Sequence, residues 1–224
     1  HFFVSEFVGE PSRSHIWGFT LKRKGFSFEL DREIDVMSGL LPTGIRFGPD
    51  GALYFADWIN GWGTKNLGRV WKIDVSEEQN DLQAIRKKTK DLMRKNYEKE
   101  NETNLFELLK YPDMRIRQKA QFELVNRRKS HLLINAIAQK EDKFMRIHGI
   151  WGLGQLIAKG ENLATNLIPY LSDEDGEIIA QTAKVLGDVK FTAAGSHLIP
   201  LLTHKNSRVK FYAAQALGRI KDES

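Results

Sequence analysis

Four copies of one pattern fill the second half of the chain. PDMRIRQKAQFEL (112–124), EDKFMRIHGIWGLG (141–154), EDGEIIAQTAKVLG (174–187) and KNSRVKFYAAQALG (205–218) repeat the same chemistry at the same offsets. Asp113, Asp142, Asp175 and Asn206, spaced by 29, 33 and 31 residues, each stand three residues before Ile116, Met145, Ile178 and Val209. Four residues further come Ala120, Gly149, Thr182 and Ala213, and four beyond those Leu124, Leu153, Leu186 and Leu217. An i, i+4, i+8 row is one apolar stripe on a helix, and an Asp or Asn just ahead of it is placed to cap the first turn. Each such helix is preceded by another apolar run: NLFELLKY, LLINAIAQ, NLIPYLS and HLIPLLT. Two helices per unit predict an α-solenoid, because a lone helix pair cannot cover its own stripe and each neighbour hides the next.

The front of the chain follows another period. FFVSEFVG, HIWGFTLKRKG, FSFEL, GIRFGPDG, ALYFADW and GRVWKIDV are short aromatic and β-branched runs separated by Gly, Pro, Asp and Ser, the pattern of antiparallel strands. In Leu53–Trp58 the large residues do not alternate cleanly with polar ones, which predicts a strand covered on both faces. Pro49-Asp50-Gly51 is turn chemistry. From Ser76 to about Thr103 the sequence has no Gly or Pro, is rich in helix formers, and carries Arg86, Lys87, Lys88, Lys90, Arg94 and Lys95. The expected organisation is therefore mixed, β then α: sheet over 1–75, a basic helical connector over 76–104, and about four helix pairs over 105–224. Asn101-Glu102-Thr103 fits a glycosylation acceptor, a tripeptide common by chance.

Two resemblances sharpen this. The repeated units resemble short HEAT repeats of the compact kind found in phycobilin-lyase-like proteins. FGPDGALYFADW followed by GRVWKI resembles the blade signature of β-propellers related to quinoprotein sugar dehydrogenases. A propeller ring needs four to eight blades, so residues 1–75 are expected to be its partial, C-terminal blades, their open faces covered by remaining blades elsewhere. In this order the segments closely resemble bacterial membrane-bound dehydrogenase-like, haem-binding proteins, in which a propeller is followed by HEAT repeats and usually by a cytochrome c domain. That resemblance implies an exported, periplasmic or cell-envelope protein, and a sugar or alcohol dehydrogenase that uses pyrroloquinoline quinone (PQQ) with Ca²⁺ and passes electrons to a c-type haem. With zero Cys among 224 residues, covalent C-x-x-C-H haem attachment within this sequence is excluded; any haem would belong to a C-terminal domain of the same protein. The chain thus reads as a slice of a longer polypeptide.

Candidate chemistry is sparse. In the sheet segment Arg46, Asp57, Trp58, Trp62 and Arg69 gather a carboxylate, two indoles and guanidinium groups near a strand end and loop, a combination suited to a sugar or a quinone cofactor. The alternative is structural: Asp57 paired with Arg69 and the Trp rings filling space between blades. In the repeats, RIHGIWGLG places Arg146, His148 and Trp151 on one helix as a candidate partner-binding face. His148 has no partner at i+4, and His197 and His204 stand seven apart, so no metal-ligand spacing is offered. There is no G-x-S-x-G, Walker loop or G-x-G-x-x-G either, and no apolar run approaches the ~20 residues of a membrane span.

Two functions follow as expectations. One is enzymatic, with the repeats as a spacer or docking arm for the dehydrogenase. The other is a non-catalytic scaffold that grips an envelope polysaccharide, a sugar or a protein partner on the long surface a solenoid provides. A nucleic-acid role would rest on Arg115, Arg117, Lys119, Arg127, Arg128 and Lys129, but such charges are expected on solvated faces, and a net charge of +5 is an ordinary surface excess.

Overall fold

Each of the six strand-like runs forms a strand. The computed structural model describes residues 1–59, 66–76 and 82–220, and the chain divides into two units, 1–94 and 95–224. In the first, β1 (Phe2–Glu6), β2 (His15–Lys24) and β3 (Ser27–Ser38) make one antiparallel sheet in that order, and β4 (Pro42–Phe47), β5 (Leu53–Asp57) and β6 (Arg69–Ile73) make a second. Both are open three-stranded meanders. Phe3 meets Phe47 edge-on between them, with ring centroids 5.4 Å apart.

The turn before β5 is built as its residues require. Gly51 takes φ 79°, the left-handed region that costs glycine least, and Asp50 Oδ1 accepts from the Ala52 N–H at 3.3 Å. The same carboxylate accepts from the Tyr54 hydroxyl at 2.9 Å and pairs with Lys72 at 3.3 Å. Strand β5 itself corrects one expectation. Leu53, Phe55 and Asp57 are buried, but Tyr54 is half-buried and Ala56 exposed, so it alternates after all. The sequence obscured this because the buried face includes a carboxylate and the open face an apolar residue.

Helix α1 (Gln83–Arg94) belongs to this first unit. Arg86 of the basic segment reaches the β4–β5 turn, donating through Nε to the Asp50 carbonyl at 2.7 Å and through Nη2 to Asp74 at 2.6 Å. Apolar residues stay open on the strands farthest along each meander: Phe26, beside β3, and Phe28, Leu30 and Ile34 within it, and Val70 and Trp71 on β6.

The second unit is helical: α2 (Glu102–Leu108), α3 (Met114–Asn126), α4 (Ser130–Ala138), α5 (Lys143–Ala158), α6 (Gly176–Asp188), α7 (Gly195–Leu198) and α8 (Ser207–Ile220). The repeat signature is realised residue by residue. Asp113, Asp142, Asp175 and Asn206 accept from the backbone N–H of Arg115, Met145, Glu177 and Arg208 at 2.8–2.9 Å, each satisfying a helix N–H that otherwise has no partner. Every stripe residue is buried except Leu217, which is half-buried. Asn101 of the glycosylation-like tripeptide caps α2 through Asn104 N at 2.8 Å. The expectation of two α-helices per unit needs one correction. The first elements of the last two units are largely 3₁₀ turns, Ala164–Ser172 around Pro169 and Ile199–Thr203 around Pro200, because proline lacks the N–H an α-helical interior needs. No described helix is long and apolar enough to cross a membrane.

Helices α3, α5, α6 and α8 stack in succession and α4 packs on α5, closely enough that glycine is required at the α4–α5 and α6–α8 crossings. A Cβ on Gly149 would stand 2.7 Å from the Leu133 carbonyl oxygen, and one on Gly187 2.6 Å from Ala216 Cα. Gly187→Ala should therefore destabilise the unit by about 1–3 kcal/mol, although alanine gains about 1 kcal/mol of helix propensity over glycine. Urea unfolding followed by far-ultraviolet circular dichroism checks the sign; a stabilised variant would mean that the α6–α8 crossing is looser than described.

Candidate functional site

The described sheet candidates differ in their placement. Arg46 on β4 and Arg69 on β6 are exposed, and Trp62 lies outside the described residues. Trp58 is 40% exposed and meets Phe7 edge-on at 6.4 Å. Asp57 is 6% exposed and accepts from Leu41 N at 3.1 Å, Ile59 N at 3.3 Å and Trp71 Nε1 at 3.0 Å. Burial pushes its carboxyl up, but these donors and the charge of Arg69, its cross-strand neighbour, hold it below the usual range. Both carboxylate oxygens are spent on the sheet's own N–H groups. A carboxylate committed this way does not fit the role of anchor for Ca²⁺ or a quinone.

On α5 the three candidates part company. Arg146 turns inward, 5% exposed, donating through Nε to the Ile137 carbonyl at 2.8 Å and through both terminal nitrogens to Asp173. Its repeat equivalent, Arg117, does the same work one unit earlier: Nη1 donates to the carbonyls of Tyr111 and Pro112 at 2.7 and 2.8 Å, and Nε reaches His148 Nε2 at 3.1 Å. In these first two units the arginine at this offset ties its own unit to the segment before its helix and to the unit after it. Phe144 lies over the Arg117 guanidinium at 4.4 Å.

His148 and Trp151 floor a groove of about 420 Å³ crossing α3, α5 and α6, walled by Met114 and Phe122 from α3 and by Lys184, Val185 and Asp188 from α6. His148, 2% exposed, is held at a pKa of about 4, first by burial and second by the positive charge of Arg117. Its Nδ1 lies 2.6 Å from Gln121 Oε1, and Gln121 Nε2 donates to Gln155 Oε1 at 3.0 Å. Trp151 crosses His148 edge-on at 5.2 Å and donates its indole N–H to Gln181 Oε1 at 2.9 Å. Gln181 donates to Glu177 at 2.7 Å, which in turn receives two bonds from Arg208.

Each of these polar threads runs between successive repeats. The sequence reading singled out His148 and Trp151 but not the glutamines at 121, 155 and 181 that hold them. The available signal was positional: Arg117 and Arg146 share one offset from their capping Asp, and His148 shares another with Gln181.

Among curated proteins, none matches this sequence. Residues 164–224 match the family model for HEAT repeats, so the stacking of α6 and α8 is that of a HEAT array.

Proposed function

We propose that this chain is a non-catalytic binding scaffold whose groove across α3, α5 and α6 holds a segment of a partner protein. One observation carries the reading: three successive repeats share an opening whose polar floor is bound to itself while its walls, Met114 at 58% and Phe122 at 43% exposed, are apolar and open. Side chains already paired with one another shape a surface rather than react on it, and exposed apolar residues beside a concavity are the usual mark of an interaction site. HEAT arrays, as a class, offer such surfaces to proteins.

Within this proposal the two sheets are blades of an incomplete propeller, supported by two consecutive three-stranded meanders whose outer strands leave Phe28, Leu30 and Val70 open. The quinoprotein-like setting remains an extension of the resemblance, and the commitment of Asp57 to its own sheet counts against a cofactor held there.

The test uses the full chain to capture a partner from an extract of the source cells, followed by titration with the purified partner. Phe122→Ser combined with Met114→Ser, both on exposed positions, should weaken binding at least about tenfold, whereas Val70→Ser on β6 should leave it unchanged. Affinity untouched by the α3 pair would remove the groove from consideration.

A further inference from the structure

The floor of the groove has a direction. A guanidinium can only donate, so the bond from Arg117 Nε requires a lone pair on His148 Nε2 and places the ring proton on Nδ1. That proton points at Gln121, which must turn its oxygen to the ring and its nitrogen to Gln155. Gln155 then spends its oxygen on Gln121. Gln155 lines the groove, and its amide nitrogen has no protein partner among the described residues. A second thread fixes Trp151: Arg208 binds Glu177, Glu177 orients Gln181, and Gln181 takes the indole N–H, so only the ring faces outward.

We infer that the groove selects a hydrogen-bond acceptor beside an apolar group, and that its occupant is an extended peptide segment. A main-chain carbonyl of that segment accepts from Gln155 while a neighbouring apolar side chain enters against Met114, Phe122 and Trp151. This rests on the scaffold reading above and adds to it the chemistry that is recognised. An extended segment brings unpaired carbonyls, whereas a helix has consumed most of its own. A sugar is the poorer occupant because each hydroxyl asks for donors and acceptors, and beyond Gln155 and the exposed amide of Gln118 the groove has few left. Gln121 is paired twice and Lys184 is bound to Asp188, which also pairs with Arg219.

The experiment pans a phage-displayed library of random linear peptides on the full chain and measures soluble winners by calorimetry. Winners should share an apolar residue. Gln155→Glu keeps an oxygen for Gln121 but sets an acceptor where the donor was, and should weaken their binding at least about tenfold; Gln155→Ala, which removes the whole amide without setting a repelling acceptor in its place, should weaken it less. Thermal melts near wild type establish that both variants fold. Peptides that bind Gln155→Glu undiminished would overturn the inference. If those same peptides are lost on Phe122→Ser, the scaffold reading stands; if they are not, both readings fall. Absence of any enriched peptide, with or without saturable binding on an oligosaccharide array, also overturns the inference.

Discussion

Arg146→Ala should cost the helical unit about 3–5 kcal/mol, the range for breaking a buried ion pair by removing one partner. The deletion takes a donor from three acceptors at once. The Ile137 carbonyl loses its donor, and the Asp173 carboxylate, 13% exposed in its side chain, loses both guanidinium bonds. Burial already pushes the Asp173 carboxyl up; it is Arg146, with the Asp175 N–H, that brings it below its ordinary value. The aromatic face of Tyr170 over the guanidinium goes as well. Denaturant unfolding followed through the indole N–H signal of Trp151, the one Trp in the helical unit, measures the loss. Arg146→Met combined with Asp173→Leu should recover most of it, since replacing a buried pair by apolar residues of similar volume is often neutral or better. A single Arg146→Ala loss below about 1 kcal/mol, the worth of an exposed pair, would show that water reaches Asp173 freely.

The same residue marks where the sequence was legible and where it was not. The cap, stripe and period of each repeat are local: Asp142, Met145, Gly149 and Leu153 lie within three turns of one helix, and their spacing alone places one face inward. Arg146 sits one residue from that face, where periodicity reads a charged side chain as solvated. What buries it is Asp173, in the next repeat. Gln121, Gln155 and Gln181 were silent for the same reason, since a neutral amide carries no signal until its partner, some 30 residues away, is known to face it. In the sheets, the strands and the Gly51 turn were readable from pattern. The fate of Asp57 was not, because beside the local N–H of Ile59 its donors come from Leu41 and Trp71, 16 and 14 residues away and brought to it by the β4–β5–β6 pairing.

Acid should weaken the helical unit in a pH window set by His148. In the folded chain its pKa is about 4 rather than the ordinary 6.5, because burial disfavours the imidazolium and Arg117 repels it. The unfolded chain therefore takes up a proton at pH values where the folded chain does not, and stability falls as pH falls. The contribution is intact above about 6.5, drains away between 6.5 and 4, and is flat below, for a total of about 3 kcal/mol. Its neighbours leave no second place for the charge: Arg117 and Gln121 face the ring from α3, and Trp151 meets it edge-on from α5. The carboxylates held low in this unit, Asp113, Asp173 and Asp175 from 3.8 and Glu100 and Glu102 from 4.5, lose their contribution only at or below the lower end of this window. His148→Gln offers an oxygen to Arg117 and an N–H to Gln121 without titrating. Urea midpoints taken from pH 7 to 4.5 should therefore decline in the wild type and stay nearly level in that variant. Parallel curves would mean that His148 takes up its proton as readily in the folded chain as in the unfolded one, which would set an imidazolium against the Arg117 guanidinium and break the bond from Arg117 Nε to His148 Nε2.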